Sequence, residues 1–573
     1  MKTIVSQSNF SRLRHILILL ALVVPSWVIN IARVVNVDEP RWVIRGANYY
    51  YAITHGDFEN TLYEYHPGVT NMWIVATAMH FYFPEYRGMG QGYFDPLKPK
   101  FEEFLRGHGR EAIDLVRNSR LIQAAVLAVL AVTGFLLLQL LVGEKAALLS
   151  IALATIAPFF LGHSRLLNLE GMLSLYVLLS ILGAQLYLNK ERKLVYLLLS
   201  GAAFGLAQLS KSSSIVVLGL VGLMLVAGLF KKNEKTFSAK FWDAVRVFLI
   251  WFGTAALVYF VLWPGMWVAP GKMLSGVYGN AISYAFQGAR LDVTEQLEPS
   301  GFSLITSFDG VAEFFQKWAS SSTPVTWLGL LFVAFAFFSK DKERLPAITK
   351  STLIYLGMLG LLFILMFGLA QGRDSQHYIL SSYVSFDVMA GIGWWYAWVW
   401  MQNRWAGLNR VYTAMAALIL LIFVQIGFGL PYAPYYFNYK SPFASLPATY
   451  GYGEGYAEAA DYLAQKPNAK EMHAYVYSGM GTFSFFFPGE TMVFKRIHLI
   501  KGDYSAVTEE MRQNDYLVLY PIVRGKQPET ERVLNALQDI NPEKKIVING
   551  LDYVYIYRVA DIPEEAYKEI EGK

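Results

Sequence analysis

The sequence contains no cysteine, so disulfides and thiolate metal centres are both excluded. It is poor in charge: 16% of its 573 residues are Asp, Glu, Lys or Arg, against about 25% in a typical soluble protein. The net charge of +5 is too small to mark a nucleic-acid surface, and the Lys and Arg sit in short loops. There is no Gly-rich nucleotide loop and no internal repeat. The first apolar run carries no small-residue cleavage site, so the expectation is a retained helix and not a signal peptide.

What the chain has instead is apolar length. It is 54% hydrophobic and 15% aromatic, with a mean hydropathy of +0.33. Runs of about 18 residues or more are long enough to cross about 30 Å of hydrocarbon. Candidate spans are 16–35, 120–142, 146–161, 171–188, 194–209, 215–230, 241–263, 323–338, 352–370, 379–401 and 411–430. The expectation is therefore a polytopic α-helical membrane protein. Starting these spans from a cytoplasmic N-terminus bearing Arg12 and Arg14 puts Lys145, Arg192, Lys232, Arg344 and Arg404 in inner loops, as the positive-inside rule requires. The run 69–83 is short and holds Asn71 and His80. If it spanned, every later basic loop would face outward, so it is expected in the outer interface as a juxtamembrane or re-entrant helix. Residues 36–118 then form one large outer loop. After 430 the pattern changes to strand-like runs (MHAYVYS, DYLVLYP, KKIVING, DYVYIYR) separated by polar helical stretches. Two domains follow: 1–430, transmembrane and catalytic, and 431–573, a small extracytoplasmic α/β domain.

This topology collects ionisable residues on the outer side. NVDEPRWVIRGANYYYAITHGDFENTLYEYHPG begins there with Asp38 and Glu39. Pro40 suits the first turn of a helix, and an acid before it caps the exposed N–H groups. That helix places Trp42, Val43, Ala47, Tyr50 and Tyr51 near one face, as in a helix lying on a membrane. One acid suffices for a cap; two leave a carboxylate for chemistry. PFFLGHSRLLNLEGML brings His163, Arg165 and Glu170 to the same side, where Arg165 and Glu170 could also simply snorkel. Two acids from distant loops suit a general base with a partner acid or a metal ligand. Lys211, Arg373, His377 and His66 are cations off the favoured side. Each has the plain alternative of an ordinary loop residue, but their joint placement points to an anionic ligand such as a phosphate.

The order of these elements resembles a known family. An acid opens the large outer loop, followed by Y-E-x-H-P-G. Then come an Arg-led second helix, P-x5-S-R-x4-E at the third, G-L-A-x-L-[ST]-K after the fifth, W-P after the seventh and a basic element before a late helix. Together they resemble the GT-C-fold glycosyltransferases of the protein O-mannosyltransferase and aminoarabinose (lipid A) transferase superfamily, over roughly 16–401. The resemblance implies an inverting transfer from a polyprenyl-phosphate sugar, on the outer face of the cell membrane, to a protein, lipid or glycan acceptor. It implies Asp38 as catalytic base and Glu170 at the second acidic position. Lys211 and Arg373 match basic positions near the lipid phosphate, with His377 and Arg165 beside them. Glu39, His66 and Tyr50 are the candidate substrate contacts. A divalent ion (Mg or Mn) would draw on Asp38, Glu170 and His163. The sequence departs from the pattern at His377, where the family often has Arg, at Ser381, where it often has Pro, and at Glu170, where Asp is common. Mannose, another hexose or a pentose all satisfy this chemistry. Two other classes compete: a secondary transporter, which wants ionisable groups at mid-membrane and paired broken helices, and a non-catalytic envelope scaffold.

Overall fold

The computed structural model describes residues 2–98, 100–231, 236–288, 308–338, 345–370, 375–405, 408, 411–444, 451–477, 479–524 and 528–573. The chain forms two compact units, neither contiguous in sequence. The first comprises Met1–Ile29, Tyr49–Ala76 and Leu121–Leu446; the second comprises Asn30–Asn48, Thr77–Arg120 and Pro447–Lys573. A single division at 430/431 follows chain order, whereas segments 30–48 and 77–120 group with the tail.

The first unit is helical. Among the described residues, seven helices are long and apolar enough to cross a membrane, or nine if each of two bent pairs counts as one span. The protein is thus a multi-pass membrane protein, and each of the eleven expected spans overlaps a helix. The first run leaves its helix at Val28 rather than continuing to 35, because Asn30 takes a left-handed conformation (φ 54°) that stops it. The third expected span is broken at Pro158, where Glu144–Ile156 and Pro158–Ser164 meet at 65°: proline lacks the N–H that a continuing helix needs. Asp309–Ser321 and Pro324–Phe338 meet at 113°. Leu380–Arg404 packs on Pro324–Phe338 through small residues. A Cβ on Gly393 would lie 2.0 Å from the Gly329 carbonyl oxygen, so only glycine permits this approach. The run expected at the outer interface is the 14-residue helix Val69–Tyr82, too short to span.

The second unit is built on a five-stranded mixed sheet, order β2-β1-β3-β5-β4. The strands are β1 His473–Val476, β2 Glu490–Val493, β3 Tyr516–Leu519, β4 Lys544–Ile548 and β5 Leu551–Arg558. β1 pairs in parallel with β2 and β3, while β5 runs antiparallel to both β3 and β4. Tyr475, Leu517, Val518, Val554 and Ile556 are buried in the core. In open α/β sheets the ends of neighbouring parallel strands are where ligands usually sit. Here Tyr477, Phe494, Leu519 and Tyr520 fill that place, leaving about 10 Å³.

The helix Lys100–Gly107 belongs to this unit through specific polar contacts. Arg106 Nη2 donates to the carbonyls of Ser484 (2.6 Å) and Phe487 (2.8 Å). Ser484 Oγ donates to Glu102 Oε2 at 3.0 Å. Burial pushes the Glu102 carboxyl up to about 7; the Ser484 hydrogen bond and Arg106 oppose the rise. A folded-state value above the unfolded one means that stability is fully present below the unfolded value, near 4.5, and is lost as pH rises through about 7. The full protein in nanodiscs should therefore melt higher at pH 5.5 than at pH 8, by an amount equivalent to about 2 kcal/mol at most. Glu102→Gln, which keeps an acceptor for Ser484, should flatten this dependence. An unchanged pH slope in that variant would refute the assignment.

Candidate functional site

In the first unit the fifth-helix motif delivers Lys211 immediately after the helix Leu194–Ser210, and Glu170 opens the helix Glu170–Asn189. The two meet as a buried ion pair, Nζ to Oε1 2.6 Å, with Lys211 2% and Glu170 5% exposed. Lys211 Nζ also lies 4.1 Å from the Tyr378 ring centroid, a cation–π position. His377 Nε2 is 4.0 Å from the same Glu170 oxygen. The His163 ring follows at 5.5 Å between centroids, and His163 Nδ1 is 3.3 Å from Asn168 Nδ2. Ser381, one of the departures from the family pattern, sits 3.3 Å from Ser174 Oγ, itself a donor to the Glu170 carbonyl.

Of this cluster Lys211 and Tyr378 line a cavity of about 390 Å³, together with Tyr65, His66, Tyr278 and Tyr284, while Glu170, His377 and His163 stand behind them. The YEYHPG element reaches it through its turn. Gly68 takes φ 61°, a backbone angle that side chains resist, and its N–H donates to the Ser210 carbonyl at 3.1 Å. Thr70 and Ser210 hydroxyls hydrogen-bond at 2.8 Å. The W-P element braces the same loop: Trp263 Nε1 donates to Thr61 Oγ1 at 3.1 Å. His66 and Lys211, 145 residues apart in sequence, thus line one space.

Two expectations are revised. Arg165, expected on the donor phosphate, is turned to the first helix: Nη1 donates to the Ser26 carbonyl at 2.8 Å and Nη2 to the Ile29 carbonyl. Ser26 is in the last turn of Lys2–Val28 and Ile29 follows it, where an arginine satisfies carbonyls that the helix leaves open. Tyr50 is 4% exposed; with Trp42, Val43 and Ala47 it forms a face buried in protein, so Glu39–Thr54 is not a helix resting its apolar side on lipid. Arg373 lies outside the described residues.

The opening acids belong to the second unit and behave differently from one another. The helix Glu39–Thr54 is capped by Asn36, whose Oδ1 accepts the N–H groups of Asp38 (3.0 Å) and Glu39 (2.9 Å). The Glu39 carboxylate is turned back to the loop before the helix, where it accepts from the Asn36 N–H and pairs with Arg120. Glu39 is fully buried (0% exposed) and gripped by Arg120: Nε to Oε1 2.9 Å, Nη2 to Oε2 2.5 Å. The Asn36 N–H donates to Glu39 as well (2.9 Å), and Arg120 further donates to the carbonyls of Val34 (2.6 Å) and Ile31. This enclosure makes Glu39 an anchor of the 31–39 loop rather than a substrate contact. Asp38, half-buried, gives the helix its first carbonyl acceptor, for Trp42 N–H. Arg120 was missed as a partner. Its only sequence signal is its place at the head of the second span.

A divalent ion does not fit the first-unit residues proposed for it. The Lys211 ammonium already sits at ion-pair distance from Glu170. Among the described residues no group of three His, Asp or Glu side chains converges as a cation site.

Residues 115–260 match the family described as dolichyl-phosphate-mannose-protein mannosyltransferase. The matched stretch carries Arg120, Glu170 and Lys211, and it agrees with the resemblance read from the sequence. Among curated proteins no sequence relative matches the chain. In structure the chain is similar to ArnT from Cupriavidus metallidurans bound to undecaprenyl phosphate, at 13% identity and a TM-score of 0.48, covering 96% of this chain and 98% of that one. It is also similar to the Archaeoglobus fulgidus oligosaccharyltransferase in its apo form, at 13% identity and a TM-score of 0.41, covering 92% and 70%.

Proposed function

We propose that the protein is an inverting glycosyltransferase that moves a sugar from a polyprenyl-phosphate carrier to an acceptor hydroxyl or amine at the outer membrane surface. The observation that carries this reading is the buried Lys211 ammonium on the wall of an aromatic cavity, in a chain whose matched segment is of a lipid-phosphate-sugar transferase family. Asp38 takes the acceptor's proton as the acceptor oxygen or nitrogen attacks the anomeric carbon. The bond from that carbon to the phosphate oxygen breaks, the configuration inverts, and the electron pair leaves on the lipid phosphate. Lys211 shares its charge between Glu170 and that phosphate, stabilising charge that grows in the transition state. His66 and the tyrosines surround the sugar and the head of the lipid. Arg373 supplies a second cation. The N-terminus is cytoplasmic, the tail is outside, and the membrane is the cell membrane, consistent with basic loops at Lys145, Arg192 and Arg404. Hexose and pentose donors both suit this scheme.

A lone Lys211→Ala would strand a buried carboxylate, so the informative variant is Lys211→Met with Glu170→Gln, which removes both charges together. With a synthetic polyprenyl-phosphate sugar in nanodiscs, donor affinity should fall about ten- to a hundredfold, the usual worth of a charge-assisted contact, while the melting temperature stays near that of the parent. Unchanged donor affinity in a folded double variant would sink the assignment of Lys211 to the phosphate.

A further inference from the structure

A second cavity, of about 430 Å³, lies among the helices Pro324–Phe338, Leu380–Arg404 and Val411–Gly429, and shares no lining residue with the Lys211 cavity. One stripe of Leu380–Arg404 faces it: Trp394, Trp395, Trp398 and Met401, spaced three and four residues apart. The three indoles differ in what they hold. Trp394 Nε1 donates to the Val325 carbonyl at 2.8 Å. The Trp395 ring carries Lys145 Nζ, 5.7 Å from its centroid. Trp398 Nε1 is buried with no hydrogen-bond partner among the described residues. A buried N–H without an acceptor is costly and rare in native proteins. The acid next to Lys145 has partners of its own: Glu144 Oε2 accepts from Ser11 Oγ at 3.1 Å and lies 3.3 Å from His15 Nδ1.

An apolar trough, a cation beside one of its tryptophans and an indole N–H without a protein acceptor match the three parts of one molecule. We propose that this cavity is a specific binding site for an anionic phospholipid of the leaflet on the Lys145 side. An acyl chain lies against Trp394 and Leu421. An ester carbonyl accepts the Trp398 N–H. The headgroup phosphate meets Lys145. Tryptophans at the headgroup level and basic residues between membrane helices are the usual elements of such recognition.

The test uses the full-length protein, stripped of lipid in detergent and then given phosphatidylglycerol or phosphatidylcholine with identical chains, and reads retained lipid by native mass spectrometry. One phosphatidylglycerol per chain should survive activation that removes phosphatidylcholine. Trp398→Phe and Lys145→Ala should each cut retention about tenfold at unchanged melting temperature, and Lys145→Arg should keep it. Equal retention of the two lipids, or variants indistinguishable from the parent, would mean ordinary boundary lipid and overturn the proposal. So would preferential retention of undecaprenyl phosphate over phosphatidylglycerol.

Discussion

Asp38→Asn should lower turnover about a hundredfold or more while leaving thermal stability and donor binding close to those of the parent. The size is that of a lost general base. Two structural facts make the variant clean. The Asn36 side chain accepts from the Asp38 and Glu39 N–H groups, and Asn is itself a good N-cap residue, so the substitution keeps the helix start. Asp38 also gives the helix its backbone carbonyl, which accepts from Trp42 and is untouched by the change. Turnover, melting temperature and donor affinity should be measured on the same nanodisc preparation. Normal turnover by Asp38→Asn would remove Asp38 from the chemistry and leave the scaffold reading of the protein standing.

Arg120→Ala should be the most destabilising single change, costing about 3–5 kcal/mol, as expected when one partner of a buried ion pair is removed. Glu39 would stay at 0% exposure with its counter-charge gone, and the Ile31 and Val34 carbonyls would lose their donor. Glu39→Gln should also destabilise, by stranding Arg120, so its defect should appear in the melting temperature and not in donor affinity. Combining Glu39→Gln with Arg120→Met should recover much of the loss, because neutral, well-packed replacements of a buried pair are often tolerated. A melting curve for Arg120→Ala that overlays the parent would show that the pair contributes nothing to the fold. The contrast between the two adjacent acids is then sharp: Asp38 should affect rate, and Glu39 should affect stability.

Arg165 shows how far a sequence reading of charge extends. Its position beside an outer helix end was legible, and so was its cationic character. Its target was not, because a guanidinium satisfies backbone carbonyls as well as phosphate oxygens, and only coordinates distinguish the two. His66 ran the other way. The HPG turn was recognised as a motif, and the tertiary structure supplied the reason for it: Gly68 hands its N–H to Ser210 and so brings His66 to the cavity that Lys211 lines.

The sequence by itself determined what depends on near neighbours. Hydrophobic runs fixed the helices of the first unit, because a chain in hydrocarbon must satisfy its backbone within each helix. Period-two runs of aromatic and branched residues fixed β1, β3, β4 and β5. β2 was not legible: it is four residues, Glu490–Val493, none fully buried, and it exists only because β1 offers it an edge. The pairing of Glu170 with Lys211, 41 residues apart, and of Glu39 with Arg120, 81 apart, was likewise decided by the fold. So was the joining of 30–48 and 77–120 to the tail in one compact unit. A charge announces in the sequence that it needs a partner, because burying it alone is prohibitive. Which partner it takes depends on how the helices stack, and that is settled by packing over the whole chain.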